Sequence, residues 1–288
     1  MKYAFIEENR VNYNIKLMVK VLDVSRSGYY DWRENRNKFN PVRRLRAWLD
    51  QQVLRIFEQH LGRYGAPRIT AQLNQEGHVV NRKTVAKSLK KQNLRARAAK
   101  KFKATTNSNH NLPVAPNLLK QDFTATAPNQ KWVGDITYLR TDEGWLYLAV
   151  VIDLYSRTVV GWAMDHRMKA GLVCDALTMA LQRRGAPKGV IVHSDRGSQY
   201  CSTSYQKQIK NHSLKCSMSK RGDCYDNACA ESFFHSLKVE LTHGSRYETR
   251  AQLRREIFEY IETYYNTVRL HSSNNYTAPS DFELLKVA

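Results

Sequence analysis

The stretch NQKWVGDITYLR, Asn129 to Arg140, alternates apolar and polar side chains as a strand with one covered face does, yet it sets Asp135 in its middle. A carboxylate inside a mainly apolar strand is costly unless a partner or a cation holds it. Thr141 to Gly144, TDEG, supplies a hairpin turn. WLYLAVVIDL, Trp145 to Leu154, then has the continuous apolar run of a covered strand, and RTVVGWAM, Arg157 to Met164, reads as a third. Further on, the spacing predicts a helix over AGLVCDALTMALQRRG ended by Gly185, a buried strand VIVH from Val190, and a helix over Thr203 to Asn211. A fifth strand, LKCSM, and an amphipathic helix from Asp226 to Leu241 complete the pattern. The order βββαβαβα predicts an α/β fold, a mixed five-stranded sheet flanked by helices, in which Trp132, Trp145 and Trp162 belong to the core.

Upstream the period is helical. Residues 12–34 break at Ser-Arg-Ser-Gly between two apolar runs and fit either a helix-turn-helix or a small packing module with no ligand. From Pro41, Leu45, Trp48, Leu49, Val53, Ile56 and Phe57 form one stripe of a long helix. A turn and a short helix with Ile69 and Leu73 follow, stopped by Gly77. Asn81 then caps a helix whose Val85 and Leu89 face inward while Arg82, Lys83, Lys87, Lys90 and Lys91 line its outside. Residues 104–117 are polar and aperiodic, which places a linker at 104–125. Beyond Arg250 one more helix leads into an irregular tail. The chain therefore divides into an N-terminal segment 1–40, a basic module 41–103, the linker, a sheet-forming core 126–245 and a C-terminal helix with tail, 246–288.

The formal charge is +20, and it is uneven: residues 1–110 hold 24 basic and 8 acidic side chains, residues 111–288 hold 22 and 18. Between 41 and 103 the numbers are 16 and 3. Such a concentration points to a polyanion, nucleic acid above all, rather than to a merely solvated basic surface, because each cation placed on a phosphate releases condensed counterions; the lysine-lined helix after a helix and a turn favours double-stranded DNA. The basic helices lack the apolar opposite face of a membrane anchor, and the longest apolar run, LAVVI, is too short to span a bilayer. Five cysteines without a CxxC pair point to reduced thiols and argue against zinc, so a cytoplasmic protein is expected.

Three carboxylates occupy telling places: Asp135 in the first strand, Asp195 at the end of the fourth within VIVHSDRGSQY, and Glu231 in the last helix of the core. A central first strand beside the fourth would bring them together. Clustered carboxylates repel, and Mg²⁺, an oxygen-seeking ion that also takes phosphate oxygens, relieves that repulsion.

The intervals, 59 residues from Asp135 to Asp195 and 35 from Asp195 to Glu231, resemble the DDE signature of the transposase and retroviral-integrase superfamily, whose catalytic domains are ribonuclease H-like. PNQKWVGDITYL, LAVVIDLYSRTVVGW, VIVHSDRGSQY, DCYDNACAESFFHSLKVEL and YYNTVRLHSSNNYTAPSDFE resemble, in order and spacing, the OrfB transposase of the insertion-sequence-three family. RYGAPRI and NRKTVAKSLKKQNL resemble its helix-turn-helix-like region. The resemblance implies that Asp135, Asp195 and Glu231 ligate two Mg²⁺ ions, with Mn²⁺ able to substitute. It implies that Lys238 contacts transposon-end DNA, and that Asn227, Gly197 and Gln199 support the site. It further implies a bacterial, nucleoid-associated enzyme that works as a homo-oligomer, with an upstream-frame OrfA protein or fusion as partner. Asn274 and Asn275 stand where the family commonly has leucine and glycine, which bears on the packing of the tail.

Rival readings are a catalytically inactive DNA-binding regulator and a ribonuclease H-like nuclease without strand transfer. Asp153 reads as a structural turn. His193, Ser194 and Asp195 are neighbours on a strand and point to opposite faces, so they form no hydrolase triad.

Overall fold

The computed structural model describes residues 1–36, 41–97, 114–219 and 227–285. Its centre is one sheet in the order β3-β2-β1-β4-β5. The strands are β1 (Lys131–Thr141), β2 (Gly144–Asp153), β3 (Val159–Asp165), β4 (Ile191–Ser194) and β5 (Lys215–Met218). The first three pair antiparallel through tight connections, whereas β4 and β5 run parallel to β1 after helical crossovers. The mixed sheet expected from the sequence is therefore present, with β1 in the middle.

The two faces of the sheet carry separate cores. On one, α7 (Ala170–Arg183) and α8 (Thr203–Asn211) bury Leu172, Ala176, Leu177, Tyr205 and Ile209 against Trp132, Val151 and Val192. On the other, α9 (Ala228–Leu237) and α10 (Arg250–Glu259) bury Phe233, Phe234, Leu237 and Leu253 against Val133, Leu139 and Leu148. Each of the two helices runs on into a π-helical segment, Lys238–Thr242 after α9 and Tyr260–Tyr265 after α10. Asp226, expected to open the first of these helices, lies outside the described residues.

The seam between α7 and β3 is close enough to demand glycine. A Cβ on Gly161 would lie 2.2 Å from the Ala176 carbonyl oxygen and 2.7 Å from the Ala180 nitrogen. Both obstacles are helix backbone and neither can rotate away. Gly161→Ala is expected to cost about 1–3 kcal/mol by overpacking, read as a lower urea midpoint at unchanged slope.

Ahead of the sheet lie two helical groups. α1 (Lys2–Asn9), α2 (Ile15–Val21) and α3 (Arg26–Asn35) close around Ile6, Met18, Val19 and Tyr29. Glu7 collects Arg10, Arg33 and Arg36 within 3.5 Å and accepts from the Tyr29 hydroxyl at 2.6 Å, so part of the positive charge of this group is answered internally. α4 (Pro41–Gln59), α5 (Ala66–Gln75) and α6 (Arg82–Lys91) share a core of Leu49, Val53, Ile56, Ile69, Leu73, Val85 and Leu89. The apolar stripe predicted for α4 holds from Leu49 onward; Leu45 is 65% exposed, because the helix overruns its partners at that end.

Several expectations change. Residues 104–113 of the stretch read as linker lie outside the described residues, but 114–125 pack on the sheet: Leu119 is buried with Phe123 and Ala125 beside it, and Ser217 Oγ accepts from the Leu118 and Leu119 amides. Polar composition hid a few well-placed apolar residues. The tail is ordered rather than irregular. Asn266 accepts from the Val159 amide at 3.0 Å and donates to the Val159 carbonyl at 3.1 Å, which caps the outer edge of β3. Glu283, in α11 (Pro279–Leu284), takes two 2.7 Å bonds from Arg184. Asn274 is buried and donates to the Ser156 carbonyl, while Asn275 adopts φ 51°, a left-handed conformation that asparagine tolerates. Trp132 and Trp162 join the cores, but Trp145 is 45% exposed and packs edge-on against Tyr138 near the hairpin.

Candidate active site

The register of β1 with β4 sets the site. Trp132 pairs with Val192 and Val133 with His193 in a parallel ladder. Carried two residues further, the same register brings Asp195, just past the end of β4, level with Asp135. Alternation along β1 puts Asp135 with Val133 and Leu139, on the face that α9 covers. A crossing point between strands that leave the sheet centre in opposite directions is where an open α/β sheet offers its crevice.

Electrostatics report the same proximity. Burial and then the neighbouring Asp195 push the Asp135 carboxyl well above the usual carboxylate range. The Ile136 amide, donating to Asp135 Oδ1 at 2.8 Å, offsets part of this; Glu231 adds to the rise and Lys238 opposes it. The three other charged groups named for the core, Asp195, Glu231 and Lys238, therefore all act on the Asp135 carboxyl. Asp195 Oδ1 accepts from the Gly197 amide at 2.9 Å, and a Cβ on Gly197 would sit 3.0 Å from that oxygen and 3.0 Å from Gln199 Oε1. The glycine is there for space. Gln199 itself donates to the Met168 carbonyl at 3.1 Å, so its amide braces the loop before α7.

The head of α9 is tied to β1 by Asn227, whose Nδ2 reaches the Gly134 carbonyl at 3.3 Å, one residue before Asp135. Among the described residues its buried Oδ1 has no hydrogen-bond partner. Glu231 follows one turn later, is exposed, and has its carboxyl raised by desolvation alone. Lys238 lies in the π-helical turn rather than on a regular continuation of α9; its ammonium stands 5.4 Å from the centre of the Tyr138 ring, and burial lowers its pKa while Asp135 raises it. The structure thus brings Asp195 beside Asp135, with Lys238 near enough to act on the Asp135 carboxyl. It leaves Glu231 at the rim: among the described residues no three ligating side chains are gathered closely enough to hold an ion.

The donor set suits a hard divalent cation all the same. It is all oxygen, Asp195 destabilises the charged form of Asp135, and Asn227, bonded to the Gly134 carbonyl one residue before Asp135, has a buried acceptor that no described residue engages. Asp153, by contrast, is already satisfied by the Asn129 and Tyr155 amides and by Trp132 Nε1 at 2.8, 2.9 and 3.3 Å, as befits a structural turn. His193 is buried between Ser217 and Ser219, away from any triad.

On α6, Arg82, Lys83, Lys87 and Lys90 are exposed along one face, above a helix start capped by Asn81 at 2.7 Å. Lys91 differs, because its ammonium is engaged with Asp50 of α4 at 2.5 Å. Two features escaped the sequence reading: Tyr138 beneath Lys238, and Glu240, a buried acid in the same π-helical turn, gripped by Arg269 at 2.6 Å. Neither has a local signal, since the partners come from distant segments.

Comparison with known proteins agrees with this architecture. Integrase core domain models match residues 125–224 and 231–285, and an HTH-like domain model matches residues 43–102. Transposase InsF for insertion sequence IS3A of Escherichia coli (strain K12) is 55% identical over 283 residues, 98% of either chain. The insertion element IS600 uncharacterized 31 kDa protein of Shigella sonnei is 45% identical over 265 residues, covering 92% of this chain and 97% of that one. Among solved structures, the HTLV-2 integrase catalytic core domain in complex with magnesium, in its trimeric form, aligns with a TM-score of 0.43 at 16% identity, over 56% of this chain and 99% of that chain. Among the described residues no helix is long and apolar enough to cross a membrane. The basic helical module, the carboxylates at the centre of the sheet and the identity sustained along the chain make it a member of the IS3 family of insertion-sequence transposases, an OrfB-type DDE polynucleotidyl transferase acting on DNA.

Proposed function

We propose that Asp135, Asp195 and Glu231 are the catalytic carboxylates for a two-step reaction: hydrolysis of a phosphodiester at each element end to free a 3′-OH, then attack of that hydroxyl on another strand. In the second step the new phosphodiester forms as the old one breaks, and the departing strand leaves as an alcohol, with no covalent enzyme intermediate. The nearness of Asp195, just past the end of β4, to Asp135 in β1 carries the reading. Held by these carboxylates, two Mg²⁺ ions, or Mn²⁺ in their place, would supply the positive charge that both the attacking and the leaving oxygen need.

The side chains divide the remaining work. The Ile136 and Gly197 amides fix the two aspartates. Glu231 completes the set from the head of α9, which Asn227 holds against β1. Lys238 takes a phosphate of the transposon end, and Arg82, Lys83, Lys87 and Lys90 grip duplex backbone through module 41–103, positioning the DNA without reading much of its sequence. Residues 126–245 do the chemistry. Both ends have to be held at once, so the working form is a homo-oligomer on DNA, joined by an OrfA protein or fusion.

A product assay with the element's own terminal DNA and Mg²⁺ tests this: joined strands support it, simple cuts favour a nuclease, and a gel shift alone favours a regulator. Gly197→Ala should lower the cutting rate about tenfold, because displacing Asp195 Oδ1 by a few tenths of an ångström spoils alignment, while the thermal midpoint stays nearly constant. Single-turnover rates beside a melting curve check it.

A further inference from the structure

Glu240 is buried, 4% exposed, in the π-helical turn Lys238–Thr242 that prolongs α9, two residues beyond Lys238 and nine beyond Glu231. Its backbone carbonyl accepts from Arg97 Nη1 at 2.8 Å and Arg63 Nε at 3.3 Å, both from the basic module. Its carboxylate accepts from Arg269 Nε and Nη2 at 2.8 and 2.6 Å and from the Tyr260 hydroxyl at 2.9 Å, with Arg68 of α5 3.7 Å away.

The arrangement follows from helix chemistry. The last carbonyls of a helix lack intrahelical donors and carry the negative end of its dipole, so arginines are favourable there. Arg63 is itself fixed by stacking 4.4 Å from the centre of the Tyr264 ring. Next to it, Arg68 Nε donates to the Leu270 carbonyl at 2.9 Å, and the Leu270 amide donates to the Tyr64 hydroxyl at 2.8 Å. The module therefore holds the end of the catalytic helix and the segment around Arg269 in one grip. π-Helical turns of this kind often mark functional positions.

We propose that Glu240 is a positioning residue through which the basic module sets the place of the helix bearing Glu231 and Lys238. DNA held by the module and the acid that completes the site then move as one unit. The proposal rests on the catalytic reading above, and its test separates the two.

In the full chain, Arg63→Ala combined with Arg97→Ala removes the module's hold on the Glu240 carbonyl while leaving the Arg269 pair intact. Hydrogen exchange of amides 238–242 should speed up on the order of tenfold, with the exchange of β1 and β2 unchanged. With the element's terminal duplex and Mg²⁺, the cutting kcat should fall about tenfold at nearly constant KM, and Arg97→Lys alone, still able to donate to the carbonyl, should retain most of it. Unchanged exchange at 238–242 overturns the proposal whatever the rate does. So do faster exchange with kcat intact, a loss confined to KM, and acceleration spread evenly over the chain. A wild-type chain that cuts no DNA counts against the catalytic reading, and the exchange result then decides the coupling by itself.

Discussion

Replacing Asp195 with asparagine is expected to abolish cutting and joining while leaving the protein at least as stable. Asparagine keeps the oxygen that accepts from the Gly197 amide, so the turn after β4 survives. What goes is a negative charge beside Asp135, whose carboxyl is pushed upward first by burial and then by Asp195 itself. Relief of that repulsion should raise the thermal midpoint slightly in metal-free buffer. For activity, loss of a group that helps hold several kcal/mol of transition-state charge stabilisation corresponds to a rate drop of about a thousandfold or more. Added Mg²⁺ should raise the wild-type midpoint by mass action and leave the variant unmoved. Melting curves with and without Mg²⁺, beside a cutting assay, check all three parts. Residual cutting near the wild-type rate would remove Asp195 from the mechanism.

The largest stability loss is expected at Arg269. Its guanidinium is buried with the Glu240 carboxylate, makes three bonds to it of 2.6 to 3.0 Å, and also donates to Ser236 Oγ at 3.0 Å. Arg269→Leu would leave the acid buried with the Tyr260 hydroxyl and Arg68 at 3.7 Å. Taking one partner from a buried pair costs about 3–5 kcal/mol, because the survivor stays desolvated and uncompensated. The melting midpoint should drop by roughly 10 °C. Removing both charges is a milder change, so Arg269→Leu with Glu240→Leu should recover much of the loss. A double variant no more stable than the single one would show that the pair matters through shape rather than charge.

Legibility in the sequence followed the range of the interactions. Strand alternation and glycine punctuation are local, and they gave the strands and their succession along the chain; the order across the sheet, with β1 in the middle, comes from the structure. Asp135 stood out because an acid inside WVGDITYL breaks a local rule, and broken rules collect at functional sites; Asp195 and Glu231 stood out by their intervals from it rather than by any local signal. Lys83 and Lys87 were readable because α6 leaves no inward place for them. Glu240 was not: in SLKVELT it looks like any helix-surface acid, and only Arg269, Tyr260 and the arginines of the module make it a buried hub. The tail failed for the same reason, since Asn266, Asn274 and Glu283 take their order from β3, the Ser156 turn and α7. Trp145 shows the converse, a large apolar residue that falls at a hairpin edge where nothing covers it fully.

Central to the mechanism is the joint action of three carboxylates, Asp135 in the middle strand, Asp195 beside it and Glu231 on α9, although Glu231 stands at the rim of the pair formed by the two aspartates. The most direct measurement is strand cutting at the element's terminal duplex in Mg²⁺ by the wild-type chain and by Glu231→Gln, with duplex binding followed in the same samples. The variant is expected to bind the duplex as the wild type does, yet to free no 3′-OH and join no strands. A Glu231→Gln chain that still cuts at close to the wild-type rate would contradict it.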